Sequence, residues 1–350
     1  MLQDSQSPSL NSLALNHYGQ LGVPQAIDPI IIGQINKTYI VSTDQTKYIL
    51  QELSPIFNVA VMDDAWVIAH HVQKKGLLAP TLLKTDSNGL YCTDQGRVFR
   101  ALVFIEGKSF RAITRPLMAQ SAAVALAEFH RALLDLNYDY KSKRRHGGDY
   151  PFHSQNLNLA LNNHPSHDYV KKLAPLAETF ITTMERLTKN LITTPRHAHG
   201  DPKISNLLFD EHDQARAWVD YDTLGKTGWS LEMADALRSW CNPYTEDVLD
   251  AHVDMSIAEA ALKGYGSIMK GVFSKAEAME LLLHCQAITL CLTMRYAADT
   301  LNENYFLHDK DRFSRAADHN WLKTNSMYHL FLDFERKSLE LKTMISDYLL

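Results

Sequence analysis

The chain lacks the features of a secreted, metal-clustered or membrane-spanning protein. Its 350 residues include only four cysteines, and these show no metal-ligand spacing. They are Cys92, Cys241, Cys285 and Cys291. Residues 1–11 are polar and do not form a signal peptide pattern, and apolar runs such as Ala101–Ile105 are too short to span a bilayer. We therefore expect a cytoplasmic protein without membrane contact, in which reduced cysteines lie in the core.

The chain also has no excess of basic residues. Formal net charge at pH 7 is −5, so we expect neither nucleic acid nor lipid as a partner. Hydrophobic residues make up 45% of the chain and charged residues 21%, a balance that excludes a disordered or fibrous protein. A length of 350 residues is long for one core and suits two lobes around a cleft.

Two regions of different periodicity follow each other along the chain. In the first, alternating segments such as Thr38–Ser42 and Lys47–Leu50 predict strands, and Val59–Gly76 predicts a helix ended by glycine. In the second, helical periodicity dominates. Helices are predicted over Ala119–Leu136, Tyr169–Leu187, Val248–Tyr265, Ala276–Leu301 and Tyr328–Leu349. The pattern predicts an α+β fold with a β-rich N-terminal lobe over 1–105 and a helical C-terminal lobe over 106–350.

One stretch of the second region combines acidic, amide and basic side chains. It is His199-Gly-Asp-Pro-Lys-Ile-Ser-Asn206, and a strand, a turn and a second strand ending in Asp220 follow it. Phosphoryl transfer needs a carboxylate base, hard oxygen ligands for Mg²⁺ on the nucleotide phosphates, and a cation that offsets charge on the transferred group. Asp201 fits the base and Lys203 the cation. Asn206 and Asp220 fit the metal ligands, so ATP and Mg²⁺ are the expected cofactors.

Either aspartate alone would equally suit a turn or a helix cap. The full pattern His-Gly-Asp-x-Lys-x-x-Asn arises by chance on the order of 10⁻⁴ times in such a chain, given ordinary residue usage. With Val219-Asp-Tyr-Asp222, it resembles the aminoglycoside phosphotransferase and choline kinase superfamily. This resemblance implies a bilobal protein-kinase-like fold with the nucleotide between the lobes. Met233–Arg238 resembles the segment in which an aspartate braces the catalytic loop, a role that falls on Asp235.

Further segments, in a shared order from residue 33 to beyond 305, are similar to N-acetylhexosamine 1-kinases. They are Gly33–Val41, Tyr48–Glu52 with Ile56-Phe57, Phe104–Glu106, and Met294–Asp299 with Tyr305-Phe306. Those enzymes phosphorylate the anomeric hydroxyl of N-acetylglucosamine or N-acetylgalactosamine. The resemblance places Arg295 and Tyr305 on the sugar and implies an amino sugar as the small-molecule partner. It also implies a set of nucleotide-binding residues, namely Gly33, Asn36, Lys37, Gln51 and Glu106. We expect a monomer or a weak homodimer.

The nucleotide lobe departs from most kinases in two respects. Gln51 ends a strand at the place where most kinases have a lysine that pairs with the phosphates, and the hexosamine kinases share this glutamine. Because glutamine carries no charge, Lys37 or the metal must compensate the phosphates. The nucleotide loop has a single glycine, Gly33, where other kinases have three.

Three side chains have competing interpretations. Trp240 is a candidate for stacking on the apolar face of a sugar ring in the acceptor site, although core packing is the favoured interpretation. Arg295, in an otherwise apolar helix, suits ligand binding or an ion pair with Asp299 one turn further on. His199 suits a structural hydrogen bond, since Asp201 already fills the position of the base.

Other acceptors and a non-enzymatic role remain open. The rival acceptors are choline, homoserine, methylthioribose and aminoglycosides, and the mildly acidic segment Tyr244–Asp250 keeps the last of these in play. The non-enzymatic alternative is a degenerate kinase fold that only binds nucleotide. The glutamine at position 51 is its one point of support, because Asp201, Asn206 and Asp220 are all present.

Overall fold

A β-rich lobe precedes a helical lobe, and the predicted two-lobed α+β fold is confirmed. The computed structural model describes residues 14–30, 35–142, 148–191 and 194–350. The first lobe contains an antiparallel sheet in the order β1-β2-β3-β6-β4, with β5 also paired to β6. Its strands are β1 (Pro24–Ile30), β2 (Lys37–Thr43), β3 (Lys47–Glu52), β4 (Leu82–Leu83), β5 (Cys92–Asp94) and β6 (Arg97–Val103).

The helix of the first lobe, α1 (Val61–Lys74), lies between β3 and β4 in the chain. Its apolar side, which includes Ile68 and Val72, is buried in the larger hydrophobic core, which extends into the second lobe. The opposite face of the sheet has a smaller core of its own, around Tyr48 and Phe99. One face of the sheet thus has a small core within the first lobe, whereas α1 packs in the core that both lobes share.

The second lobe consists mainly of helices around a long central one. They are α2 (Pro116–Ala132), α3 (Tyr150–Asn163), α4 (Val170–Thr188), α5 (Trp229–Trp240), α6 (Met255–Met269), α7 (Lys275–Asn302), α8 (Ala316–Arg336) and α9 (Ser338–Leu349). Helix α7 begins with a capping box of Ser274 and Glu277. It is long and apolar enough to cross a bilayer, but 89% of its most apolar window is buried inside the protein, as expected of a core helix.

Two short strand pairs flank the loops that contain Asp201 and Asp220. They are β7 (Arg196–Ala198) with β10 (Gly225–Thr227), and β8 (Leu207–Phe209) with β9 (Ala215–Trp218). The second pair was predicted, and the first was not, because three-residue polar strands leave no alternating pattern. A backbone pair between Lys108 and Phe209 ties β8 to the segment that leaves the sheet. The two lobes are therefore joined beside the loop that precedes β8.

Several predicted boundaries were wrong. Helix α6 begins at Met255 and not at 248, because the Asp254 side chain accepts hydrogen bonds from the backbone of the first turn. The predicted last helix is two helices, which separate at Lys337, where ψ is 11° and the ammonium is held by Asp333 and the Val253 carbonyl. The four cysteines, all within the described ranges, are buried and form no disulfide.

Candidate active site

The loop between β7 and β8 is held in a conformation that only glycine permits at its second residue. Gly200 has φ of 82°, and a Cβ there would lie 2.0 Å from the Thr223 carbonyl oxygen. The Thr223 hydroxyl donates to the carbonyl of His199 on the other side of the same contact. The segment that follows β9 therefore packs directly against the loop, and it brings Asp220 towards Asp201.

The predicted base and cation lie together. The Lys203 ammonium is 2.6 Å from Asp201 Oδ2, and the Asn206 side-chain amide donates to the same oxygen at 3.1 Å and to the Asp201 carbonyl at 3.0 Å. Burial lowers the pKa of Lys203, but the charges of Asp201 and Asp220 outweigh it, so the pKa is raised and the ammonium stays protonated. The loop thus holds one carboxylate in a fixed orientation, with a cation between it and Asp220.

Asp220 is the second acidic group and has an unusual backbone. It adopts left-handed φ and ψ of 65° and 64°, which is rare for a non-glycine residue and typical of functional sites. No donor among the described residues forms a hydrogen bond to its carboxylate. Burial and then the charge of Asp222 raise its pKa to about 6, although Lys203 and Arg100 act in the opposite direction. A carboxylate in this state is suited to a cation that the protein itself does not provide.

His199 has the structural role predicted for it. Its side chain is fully buried, and Nε2 donates to the Val219 carbonyl at 2.9 Å. Burial lowers the pKa of His199, which keeps the ring neutral. The Val219 amide in turn donates to the Asn206 carbonyl at 2.8 Å. These bonds fasten the end of β9 to the catalytic loop immediately before Asp220.

The carboxylate that braces the loop is Glu232 and not Asp235. Glu232 accepts a 2.6 Å hydrogen bond from the Gly200 amide and another of 2.6 Å from His130 Nε2. His130 is fully buried, and its Nδ1 contacts the Tyr265 hydroxyl at 2.8 Å. Asp235 lies one turn further along α5, where its carboxylate accepts from Arg238, while the Gly200 amide donates to Glu232. The role implied for Asp235 by resemblance was therefore assigned one turn too late.

The sheet side of the cleft contains a buried ion pair that the motifs did not indicate. Arg100 on β6 is the cross-strand neighbour of Gln51 and donates through Nε to Gln51 Oε1 at 2.9 Å. Its two terminal nitrogens bind both oxygens of Asp222, at 2.5 and 2.9 Å. Asn36 donates to Asp222 at 2.7 Å and accepts from the Ser54 amide. The predicted nucleotide residues Asn36 and Gln51 thus use their side chains within the protein.

The remaining predicted nucleotide residues lie around the open edge of the sheet. Lys37 opens β2, and its exposed ammonium is 3.2 Å from Glu52. Glu106 is exposed in the segment between the lobes. Gly33 lies outside the described residues. Nucleotide contacts by these three residues remain predictions.

A charged group on α5 and the following loop faces the other side of the catalytic loop. Arg238 donates to Asp235 at 2.9 Å and to Glu246 at 2.8 Å, and the Tyr296 hydroxyl donates to Glu246. Burial raises the pKa of Asp235; Arg238 offsets this in part, and the negative charge of Asp201 raises it further, so the two carboxylates are near each other. These hydrogen bonds connect the surroundings of Asp201 with Tyr296 on α7.

Arg295 lies next to Tyr305, as the resemblance implied. The guanidinium is 3.5 Å from the Tyr305 hydroxyl and lies over the rings of Tyr305 and Phe306. The alternative of an ion pair with Asp299 is wrong, because that carboxylate accepts the backbone amides of residues 304–306 and the Asn320 side chain. Asp299 therefore shapes the loop that presents Tyr305, which is 62% exposed.

Trp240 does not line the site, so its candidate role in stacking on a sugar is wrong and the alternative of core packing is confirmed. Its side chain is fully buried, its ring stacks with that of Trp218, and Nε1 donates to the Pro202 carbonyl at 2.9 Å. Because the ring is buried on both faces, the indole cannot stack on a ligand. Its hydrogen bond to Pro202 instead stabilises the loop that contains Asp201.

Sequence reasoning missed Arg100, Asp222 and Glu232. A charged residue within the apolar strand Val98–Leu102 was a signal, because a guanidinium there requires a buried partner. The partner lies 122 residues away in the chain, and no local pattern links the two. Glu232 lies in the first turn of α5, where acidic residues are common, so the sequence did not indicate its contact with the Gly200 amide.

Comparisons with known proteins agree with this geometry. A model of the phosphotransferase enzyme family matches residues 26–265. Among solved structures, an aminoglycoside phosphotransferase from Alicyclobacillus acidocaldarius is similar, with a TM-score of 0.65 and 14% identity over 93% of this chain and 95% of that one. An amicoumacin kinase in complex with AMP-PNP, Ca²⁺ and Ami has a TM-score of 0.61 and 12% identity, over 91% of this chain and 94% of that one.

A microcompartment-associated aminopropanol kinase gives a TM-score of 0.62 at 14% identity, over 94% of this chain and 97% of that one. At such identities the structural matches establish the fold, whereas the family model covers more than half of the chain and includes the loop with Asp201, Asn206 and Asp220. The chain belongs to the phosphotransferase enzyme family.

Proposed function

We propose that this phosphotransferase is an ATP- and Mg²⁺-dependent kinase that phosphorylates a hydroxyl of a small molecule, most specifically the anomeric hydroxyl of an N-acetylhexosamine. The observation that carries the kinase part is the arrangement of Asp201, Lys203 and Asn206 opposite Asp220. Similar folds belong to an amicoumacin kinase solved with AMP-PNP and Ca²⁺ and to an aminopropanol kinase, which supports a nucleotide, a divalent cation and a small alcohol.

The residues present fit such a metal. Asp220 is held in a strained conformation with no described donor, and its pKa is raised, so a bound cation would relieve both the desolvation and the repulsion from Asp222. Asn206 donates through its nitrogen, which leaves its amide oxygen as the group suited to a hard cation. Bound MgATP would supply the phosphoryl group and neutralise part of its charge. The chain itself holds the acceptor, accepts its proton on Asp201 and keeps Lys203 charged beside it.

The charges on the acceptor side favour an uncharged acceptor. The acidic segment that kept an aminoglycoside possible contributes Glu246, which pairs with Arg238, and Asp247, which pairs with Arg312 at 2.5 Å. A cationic acceptor such as choline or an aminoglycoside would have to compete with Arg238 and Arg312 for these two carboxylates. Arg295, with its donors near the Tyr305 hydroxyl, is suited to the hydroxyl and acetamide oxygens of an amino sugar.

The test is ADP release against a panel of N-acetylhexosamines, choline, homoserine, methylthioribose and aminoglycosides, for the wild type and two arginine variants. Loss of a hydrogen bond from a charged donor costs about 1.5–3 kcal/mol, so Arg295→Ala should raise the KM for N-acetylglucosamine roughly ten- to a hundred-fold, with the KM for ATP little changed. The control is Arg186→Ala, because Arg186 is exposed on α4 and pairs only at the surface with Glu335. This variant should leave both constants unchanged.

Three outcomes separate the parts of the proposal. If the wild type phosphorylates another alcohol but no N-acetylhexosamine, the sugar assignment fails and the kinase stands. If Arg295→Ala alters only the melting temperature, the arginine is structural. If no acceptor gives ADP and the protein does not bind MgATP, the kinase proposal itself fails.

A further inference from the structure

Position 51, where most kinases have a lysine, is a glutamine here, and an arginine lies beside it on the neighbouring strand of the sheet. Gln51 of β3 and Arg100 of β6 are paired residues in the antiparallel register, and Arg100 Nε donates to Gln51 Oε1. Gln51 also donates to Thr38 Oγ1 on β2 at 3.0 Å. The sheet thus has a positive charge next to position 51, but Arg100 carries it on β6 and not on β3.

This charge is directed across the cleft and not into open solvent. The Arg100 side chain is 2% exposed and forms a two-pronged ion pair with Asp222, whose side chain is fully buried. Asn36, which follows the nucleotide loop, binds the same carboxylate. Paired charges at this depth hold their geometry well, since breaking one leaves an uncompensated buried charge. Arg100, Gln51 and Asn36 therefore connect the sheet to the segment after β9.

Asp222 lies two residues beyond Asp220, in the short turn Tyr221–Thr223. On the preceding side, Val219 is fastened to the catalytic loop through both its amide and its carbonyl. On the following side, the anchors are the Arg100–Asp222 pair and the Thr223 hydroxyl. A left-handed aspartate persists only when its surroundings impose it, and these anchors on either side do so.

We infer that Arg100 is a positioning residue for the metal-side carboxylate: its ion pair with Asp222 holds Asp220 in the left-handed conformation and fixes it relative to the nucleotide sheet. Arg100 joins the sheet to the segment after β9 and does not take over the phosphate contact of a strand lysine, because its side chain is 2% exposed and its Nε and both terminal nitrogens bond within the protein. This inference deepens the proposed function and rests on it, since the carboxylate it positions is the proposed metal ligand.

The experiment measures ADP affinity by calorimetry with and without Mg²⁺, together with amide exchange of residues 219–224 in metal-free protein. The variants are Arg100→Gln, Arg100→Lys and Asp222→Asn. Asp333→Asn is the matched control, because Asp333 is also buried and paired, but its partners are Arg336, Lys337 and the Val253 amide in the helical lobe. All four variants should lower the melting temperature.

Mg²⁺-dependent tightening is the factor by which Mg²⁺ lowers the Kd for ADP. Only the variants of the Arg100–Asp222 pair should reduce this factor. Arg100→Gln and Asp222→Asn should each reduce it on the order of tenfold or more, with smaller loss for metal-free ADP and with faster exchange over residues 219–224. Arg100→Lys keeps the charge but not the fork, so its loss should be intermediate. Asp333→Asn should leave the tightening and the local exchange unchanged.

Several results would overturn the inference. Equal losses with and without Mg²⁺ in Arg100→Gln would mean that the arginine contacts phosphate directly. Unchanged or stronger tightening in Arg100→Gln, with loss in Asp222→Asn, would make Asp222 itself a metal ligand. If Arg100→Gln does not fold, wild-type tightening in Arg100→Lys is the overturning result. Wild-type protein that shows no Mg²⁺-dependent ADP binding would instead defeat the proposed function.

Discussion

The brace formed by Glu232 gives a prediction whose magnitude follows from the structure. Its carboxylate is 2% exposed and accepts two hydrogen bonds of 2.6 Å, from the Gly200 amide and from His130 Nε2. Replacement by alanine removes both acceptors and leaves a backbone amide and an imidazole without partners. Hydrogen bonds to charged groups contribute about 1.5–3 kcal/mol each, so Glu232→Ala should lower the free energy of unfolding by about 3–6 kcal/mol. That is a large fraction of the stability of a typical protein.

Glu232→Gln should cost much less, on the order of 1 kcal/mol. The amide oxygen can still accept from Gly200, and the amide nitrogen can donate to His130 Nε2 if the imidazole proton moves to Nδ1. That nitrogen faces the Tyr265 hydroxyl at 2.8 Å, which can accept it. The glutamine variant therefore keeps the shape and the hydrogen bonds, while losing only the charge.

The assay is hydrogen exchange of the Gly200 amide, normalised to core amides of α7 and accompanied by melting curves. Glu232→Ala should expose Gly200 to exchange more than it exposes α7, and kcat should fall with the loosened loop. Asp235→Asn is the informative comparison, because family resemblance assigned the brace to Asp235, whereas its carboxylate contacts Arg238. Local protection at Gly200 that survives Glu232→Ala and disappears in Asp235→Asn would refute the reasoning.

Two further predictions concern the base and the pH dependence of stability. Asp201→Asn should lower kcat roughly 10²–10⁴-fold, the range for loss of a positioned base, with ADP affinity by calorimetry little changed; turnover within a few-fold of wild type would contradict the assignment. Burial tends to raise the pKa of Asp333, but Lys337 and the Val253 amide outweigh it, so the folded-state pKa is lowered. The carboxylate therefore stabilises the fold at neutral pH and stops doing so as pH falls through that value. The melting temperatures of wild type and Asp333→Asn should differ by a constant amount above about pH 4, the ordinary pKa of an aspartate, and should converge as the pH falls below it towards the lowered folded-state pKa. A difference that persists unchanged at low pH would show that the ion pair is not the cause.

Local patterns predicted the parts of the site that one loop carries. Asp201, Lys203 and Asn206 lie within six consecutive positions, so the short loop between them keeps their side chains close together. Arg295 and Tyr305 were also placed together correctly, because a helix end and a short loop connect them. Patterns failed where partners are distant in the chain, as for Glu232 with His130.

Trp240 shows a different reason for failure. A tryptophan close to the metal segment in sequence has the same signature whether its ring is open to the cleft or packed beneath it. The deciding facts are the ring of Trp218 on one face and the Pro202 carbonyl at its nitrogen, and both depend on how β9 and the loop pack on α5. Burial of this kind is a property of the packed lobe, and helical periodicity alone does not determine it.

The glutamine at position 51 was the one observation in favour of a degenerate, non-catalytic kinase fold. Its force depends on the assumption that a missing lysine leaves the sheet without positive charge. The register shows otherwise, because Arg100 lies beside Gln51 and binds Asp222 across the cleft. Such a pair adds little stability over apolar residues of similar size, although removal of one partner alone would leave a buried charge without compensation. The position of this pair next to Asp220, which has a left-handed backbone, supports the proposal that the site positions a metal ligand.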